Sequence, residues 1–320
     1  MSTILITGVA GFVGSNLANK LIESGHKVIG FDNLSYGNME NMHAFLENEN
    51  FSFLKKDVSE NNVFDNTEAD YIVHLASQKI PRYDNSYKTL TENDLMSSNV
   101  INFALEKDIK LVFASTSDVY GKNPEIPFKE SSNLLLGPTY VKRWAYAVSK
   151  IFSEHKIIAN SEENGLKYTI MRFFGSYGPN QNTTWWGGPQ SVFIEKSFKQ
   201  EEIELHGDGL QTRTFTFIED TVQGIIKCIF ENKALNNVYN IAGNPDTEIS
   251  IKDLAHFIWN KINPNTKPKI KYIPYETFGK YEDVRRRVPN IDKISYELGY
   301  APKWDLNKGL EKTIEWQKQK

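Results

Sequence analysis

A single cysteine, Cys228, stands in 320 residues, which excludes an internal disulfide and fits a reducing compartment. Its setting, Gly224-Ile-Ile-Lys-Cys-Ile-Phe230, reads as a buried helix face rather than a reactive site. No apolar run approaches the ~20 residues that a membrane-crossing helix needs. The N-terminal Met1-Ser-Thr-Ile-Leu-Ile-Thr7 lacks the basic stretch of a leader peptide and runs straight into a strand. The six histidines show no metal-ligand spacing, so no metal is expected. Internal repeats and low-complexity tracts are missing. A formal charge of −3 gives no reason to expect nucleic acid or an anionic membrane as partner. The one dense basic run, Arg285-Arg286-Arg287, is too short for a nucleic-acid footprint but suits a diphosphate or a carboxylate. These absences leave a cytoplasmic globular protein as the expectation.

With 40% hydrophobic and 24% charged residues, the chain has material for one large or two modest cores. Its first half alternates β-rich runs (3–7, 27–31, 51–54, 71–75, 110–114 and 168–172) with helical patterns at 12–24, 89–107 and 143–164. Such alternation predicts an α/β fold, a Rossmann-type doubly wound parallel sheet with right-handed crossovers and ligands at the carboxyl ends of its strands. After Gly178-Pro179 the texture becomes polar and glycine-bearing, with Trp185-Trp186-Gly187-Gly188. The expected division is a dinucleotide-binding domain over residues 1–178 and a smaller α/β substrate lobe over 179–320. A segment near 220–243 is expected to return to the first domain, because Asn237–Ala242 reads as another strand. An apolar stripe of Leu306, Leu310 and Ile314 closes the chain as a helix.

Gly8-Val9-Ala10-Gly11-Phe12-Val13-Gly14 follows a strand and opens a helix, the context a dinucleotide turn requires. Gly8 permits the tight turn, Gly11 lets the backbone approach a pyrophosphate, and Gly14 permits close helix–strand packing. Asp32 ends the second strand, where a carboxylate accepts both ribose hydroxyls and repels a 2′-phosphate. NAD is therefore favoured over NADP. Asp57-Val58 ends the third strand, where the carboxylate reads either as an adenine contact or as a solvated loop residue. Leu75-Ala76-Ser77 ends the fourth, with Lys79 just beyond.

Tyr146 and Lys150 stand four positions apart, on one face if helical. An ammonium beside a phenol favours the phenolate and brings its pKa down from ~10, so the pair reads as a base. Phe113-Ala-Ser-Thr-Ser-Asp-Val-Tyr-Gly121 ends the fifth strand at the same rim.

Taken in order, Thr7–Gly14, His74-Leu-Ala76, Thr116–Gly121, Tyr146–Lys150, Arg172-Phe-Phe-Gly-Ser-Tyr-Gly-Pro179, Gly207-Asp-Gly-Leu-Gln-Thr-Arg213 and Leu298-Gly-Tyr-Ala-Pro302 closely resemble the extended short-chain dehydrogenase/reductases acting on nucleotide sugars, nearly end to end. The resemblance implies oxidation at the sugar C4. Thr116 would hold the reacting oxygen, Tyr146 would be the base, and Lys150 would orient the nicotinamide ribose. Asp118 joins this catalytic set. The implied cofactor contacts are Gly8, Gly11, Phe12, Val13, Gly14, Asp32, Asn33, Asp57, Val58, Leu75, Ala76, Ser77, Lys79, Asn93, Tyr146, Lys150 and Phe173. The implied substrate contacts are Thr116, Ser117, Gly175, Gln190, Arg213, Arg285 and Arg287, with the arginines at 213 and 285 clamping a diphosphate through their planar forks.

The outcome after C4 oxidation depends on neighbouring groups. A 4,6-dehydratase has Thr-Asp-Glu where this chain has Thr116-Ser117-Asp118, so Ser117 lacks the required acid. Uronate decarboxylases have Thr-Ser-Glu and an Arg-x-Pro segment, matched by Arg287-Val-Pro-Asn-Ile291; Trp144 also resembles some of them. In epimerases the Arg287 position lines the sugar pocket; an arginine there suits an anionic or acetamido-bearing sugar, or serves as a second phosphate ligand. The usual asparagine of the Arg-Phe-Phe-Asn segment is Gly175, which removes a contact and leaves room. Trp185-Trp186 reads equally as an aromatic wall for base or sugar and as packing of the small lobe. The leading expectation is an NAD-dependent 4-epimerase of a UDP-hexose or UDP-N-acetylhexosamine, passing through a transient 4-keto sugar. A UDP-uronate decarboxylase using Asp118 and Arg287 stands second, ahead of a 4,6-dehydratase, and an NAD-binding regulatory protein is the non-enzyme alternative. The resemblance further implies a homodimer packed through the helices at 89–107 and 143–164.

Overall fold

Ile-, Leu- and Val-rich runs bounded by turn residues form the parallel sheet they predict. The computed structural model describes residues 1–79, 85–184 and 187–320; the expected aromatic wall of Trp185 and Trp186 lies outside the described residues. Six strands open the sheet: β1 (Thr3–Thr7), β2 (Lys27–Asp32), β3 (Phe51–Lys55), β4 (Tyr71–His74), β5 (Lys110–Thr116) and β6 (Tyr168–Phe173). With the strand Asn237–Ile241 they make a seven-stranded sheet in the order 237–241, β6, β5, β4, β1, β2, β3, every pairing parallel.

Alternation along each strand feeds two cores. Ile4 and Ile6 of β1 point to one face, where α1 (Phe12–Glu23) and α5 (Ile218–Phe230) bury Leu17, Leu21, Ile225 and Cys228. Leu5 points to the other, against Met96, Val100 and Phe103 of α2 (Ser86–Glu106) and Ile157 of α3 (Trp144–Asn164). The sheet is therefore covered on both sides, as buried parallel strands require.

The smaller lobe holds α4 (Pro189–Phe198) packed on α6 (Ile251–Ile262), a parallel pair of Ile203–His206 with Ile270–Ile273, and a three-stranded patch. In that patch Thr212–Arg213 lies between Ile249–Ser250 and Arg286–Arg287. The chain does not remain in this lobe after residue 178. Helix α5 and the strand 237–241 cross back, and Asn237 to Ile241 pair with Thr169 to Phe173 of β6. Among the described residues, no helix is long and apolar enough to cross a membrane and no group of three or more His, Cys, Asp or Glu is placed to hold a metal.

Candidate active site

The carboxyl ends of β1, β2, β4, β5 and β6 open into one cleft of about 770 Å³. At its floor, Gly8 has φ +77°, and a Cβ there would stand 2.8 Å from Ala76 N. A Cβ on Gly14 would stand 2.2 Å from the Gly8 carbonyl oxygen, so only glycine lets α1 approach β1 this closely. Gly11 caps α1 without a side-chain hydrogen bond, leaving the first-turn N–H groups open to a phosphate. Asp32 accepts from Ala10 N (3.0 Å) and Leu34 N (2.8 Å) and still lines the cleft; burial raises its pKa. A glycine cradle with a carboxylate at the next strand end fits an adenosine diphosphate with a free ribose 2′-hydroxyl.

Asp57 takes Asn33 Nδ2 at 2.8 Å and Ser59 Oγ at 2.6 Å, so it ties two loops together at the cleft edge. Of the other expected cofactor residues, Phe12, Val13, Val58, Leu75, Ala76, Ser77, Lys79, Lys150, Tyr146 and Phe173 also line the cleft. Gly14 and Asn93 do not. Asn93 acts from behind, accepting from Gln78 N (2.8 Å) and donating to Ser149 Oγ (2.9 Å), which fixes the loop after β4 against α3.

The reacting wall is built by β5 and α3. Strand β5 runs two residues further than its sequence pattern suggests, because Ser115 and Thr116 still pair with Arg172 and Phe173. Thr116 therefore sits on the last rung, where its Oγ1 accepts from Asp118 N at 3.1 Å and turns the chain. Tyr146, Lys150 and Glu154 recur every fourth residue of α3 and face this strand end. Lys150 Nζ donates to the Ala114 carbonyl at 2.8 Å and lies 4.7 Å from the Phe113 ring centroid. Burial lowers its pKa to about 7, against which Glu154 acts.

The expected depression of the Tyr146 pKa by Lys150 is not what the structure shows. Burial, then the Asp118 anion, push the phenol well above its ordinary value, and hydrogen bonds with Ser77 and Thr116 offset only part of that. The Lys150 ammonium is turned to Ala114, so desolvation prevails.

Asp118 lines the cleft beside Arg287 and Ser117. Its Oδ1 accepts from Arg287 Nη2 at 2.6 Å and from Arg143 Nη2 at 3.0 Å. Burial alone would raise its pKa; the two guanidinium groups overcome that and hold the carboxyl well below the usual carboxylate range. Gly175, with φ +42°, and Gln190 also border the cleft.

Two expected substrate contacts fall elsewhere. Arg285 is a surface residue whose Nη1 donates to both Asp208 oxygens at 2.8 Å, with 61% of its side chain exposed. It borders a separate shallow depression with Gly207 and Tyr275. Arg285 stands just before the two-residue strand Arg286–Arg287; Asp208 holds it at the surface, whereas Asp118 holds Arg287 in the cleft. Arg213 stands behind the cleft wall, donating to Asp283 Oδ1 (3.0 Å) and the Val284 carbonyl (2.8 Å). Burial lowers its pKa to about 10.

Sequence reasoning missed Arg143, Asp283 and Glu154. Arg143 and Asp283 meet across 140 residues, so no local spacing joins them. Glu154 was visible as the next turn of the Tyr146/Lys150 ladder. It accepts Arg172 in a two-point pair (2.7 and 3.1 Å) and hydrogen bonds with Ser115.

A glycine-cradled cleft thus faces a Thr116/Tyr146/Lys150 wall at the carboxyl rim of a doubly wound sheet. The profile of the NAD dependent epimerase/dehydratase family matches residues 4–242, and the chain belongs to this family of NAD-dependent enzymes. It is 32% identical over 318 residues to a UDP-N-acetyl-alpha-D-glucosaminuronate decarboxylase of Bacillus cytotoxicus, covering 98% of this chain and 96% of that one. A UDP-glucuronic acid decarboxylase 1 of Danio rerio is 33% identical over 98% of this chain and 72% of its own. Among solved structures, the UDP-glucose 4-epimerase of Thermotoga maritima, determined with UDP-glucose, superposes with a TM-score of 0.87 at 27% identity over 99% of both chains.

Proposed function

We propose that this protein oxidises C4 of a UDP-linked uronic acid and decarboxylates the resulting 4-keto sugar. The carrying observation is the pair of Asp118 and Arg287 in the cleft wall next to Thr116, with the guanidinium presented to the same space. The names of the two decarboxylase relatives support the reading. It reverses the order of the sequence expectation, which put epimerisation first.

NAD held along the glycine cradle would supply the acceptor, and later the donor, of the C4 hydride. Gly8, Gly11 and the first turn of α1 hold the pyrophosphate, and Asp32 the adenosine ribose. Thr116 and Tyr146, which both line the cleft, receive the C4 hydroxyl; Tyr146 takes its proton, and Lys150 is held in place by Ala114. Arg287 pairs with the C6 carboxylate. With a ketone at C4 that carboxylate is β to a carbonyl, so the C5–C6 bond breaks, carbon dioxide departs, and the electron pair passes into the C4 oxygen. Reprotonation at C5 restores the ketone. Asp118, held ionised, is not an acid in this scheme, which also argues against elimination across C5 and C6.

The 4-epimerase reading is favoured by a different feature. Thr116, Tyr146 and Lys150 all line the cleft, and epimerisation needs nothing beyond them. Mass spectrometry of products from UDP-glucuronate, UDP-N-acetylglucosaminuronate, UDP-glucose and UDP-N-acetylglucosamine separates the two. Loss of carbon dioxide from a uronate supports the proposal; unchanged mass with an inverted C4 overturns it in favour of epimerisation. Tyr146→Phe is expected to abolish conversion in either case; full retained conversion removes the catalytic assignment of Tyr146, and no conversion of any of the four sugars by the unaltered protein leaves an NAD-binding regulatory role. We place the working unit as a cytoplasmic homodimer, joined through Leu95 of α2 and Val148 and Phe152 of α3, which stay exposed in the single chain.

A further inference from the structure

From the cleft lining to the space behind it, five charged side chains form one connected cluster. Arg287 and Arg143 converge on Asp118 Oδ1; Arg143 Nη1 reaches Asp283 Oδ1 at 2.8 Å, and Arg213 Nη2 reaches the same oxygen at 3.0 Å. Tyr275 donates to Asp283 Oδ2 at 2.9 Å, and Arg143 Nη1 also meets the Tyr281 hydroxyl (2.9 Å) and the Glu282 carbonyl (3.2 Å). All five are mostly buried, the arginine side chains 12–16% exposed. Three guanidinium groups face two carboxylates, so the cluster carries one positive charge more than it neutralises. Buried charge without a counter-charge is strongly disfavoured. The excess therefore points to an anion arriving with the ligand.

The geometry says where that anion docks. Of the three arginines only Arg287 borders the cleft; its Nε, like that of Arg143, has no hydrogen-bond partner. Without Arg143, Arg287 would be the one guanidinium on Asp118, with Lys79 as the other cation acting on it, and less of its charge would remain for a second anion. We propose that Arg143 is a specificity-determining positioning residue: held from outside the cleft by Asp283, it takes over neutralisation of Asp118 and frees the charge of Arg287 for a substrate carboxylate. This rests on the uronate reading of the site. A phosphate oxygen of the UDP moiety offers the same chemistry, so the test separates the two sources.

The NAD-loaded protein, made inactive by Tyr146→Phe so that binding is read without turnover, and the same protein carrying Arg143→Met or Arg143→Lys are titrated calorimetrically with UDP-glucuronate, UDP-glucose and UDP. Arg143→Met is expected to weaken UDP-glucuronate by at least about tenfold, the scale of losing one partner in a buried charge pair. UDP-glucose and UDP are expected to shift less than about threefold, and Arg143→Lys to recover part of the loss. Equal weakening of all three ligands overturns the inference and assigns the cluster to the diphosphate or to folding. Unchanged UDP-glucuronate binding in a folded Arg143→Met protein overturns it while leaving the uronate reading intact. Failure of the protein with Arg143 intact to prefer UDP-glucuronate to UDP-glucose overturns the uronate reading, and this inference with it. Should Arg143→Met not fold, Asp283→Asn releases the tether with Arg143 retained; a selective loss of UDP-glucuronate affinity is expected, and a uniform loss or none overturns the role.

Discussion

Lys150 is held in an environment that disfavours its charge. Burial lowers its pKa to about 7, and Glu154 on the next helical turn only moderates the effect. Between that value and the ~10.4 of a free lysine, the unfolded chain binds more protons than the native one, so native stability rises with pH across this window. A functional ammonium is thus maintained against the preference of the fold. Lys150→Met is expected to abolish conversion in the presence of NAD, yet in NAD-free protein to melt higher than wild type at pH ~6, the advantage fading as the pH approaches ~10. Parallel melting curves across that range would contradict the burial argument. Gly14 is constrained by space instead. Since an added Cβ meets the Gly8 carbonyl at 2.2 Å, Gly14→Ala forces α1 away from β1. The expected loss is about 1–3 kcal/mol of stability with weakened NAD affinity, read by thermal melting with and without NAD. An unaltered NAD-induced shift in melting temperature would sink this account.

Helix α3 shows how one element serves two surfaces. Tyr146, Lys150 and Glu154 share the face against β5, while Val148 and Phe152 remain 44% and 51% exposed on another. Leu95 of the neighbouring α2 is 49% exposed. Phe152→Glu is expected to convert the proposed dimer to a monomer in sedimentation analysis with secondary structure unchanged; a wild-type monomer would refute the interface. Element ends were less legible than element identity. The pattern stopped β5 at Ala114, yet the strand continues to Thr116 because β6 supplies partners there. The pattern began α2 at Thr89, and the helix starts at Ser86. Hydrophobic periodicity reports which face is buried, whereas strand ends are set by the neighbour's hydrogen bonds.

At the scale of the whole molecule, ion pairs bind the smaller lobe to the sheet. Asp283 receives Arg213 from its own lobe and Arg143 from the start of α3. Burial alone would raise the Asp283 pKa; Arg213 and Arg143 overcome it and hold the group well below the usual range. Its stabilisation is present above the unfolded value of ~3.9 and is lost as pH falls toward the folded one. Asp283→Asn is therefore expected to lower the melting temperature at pH ~7 and to flatten its further decline between pH ~5 and ~3. An unchanged acid slope would show that the tether does not contribute.

The glycine turn, Asp32, Thr116 and the Tyr146/Lys150 pair were readable in the chain because each is a short-range device. A turn needs glycine at fixed offsets, a helix puts every fourth residue on one face, and a strand end delivers the next residue to the rim. Those local rules determined the fold class and the NAD cleft. Tertiary structure alone decided the rest: that Arg285 leaves the cleft for Asp208, that Arg213 stands behind its wall, and that Arg143 and Asp283 join from 140 residues apart to act on Asp118. Charge pairing depends on distance and burial rather than on sequence separation. The electrostatics of the site existed only once the two lobes had met.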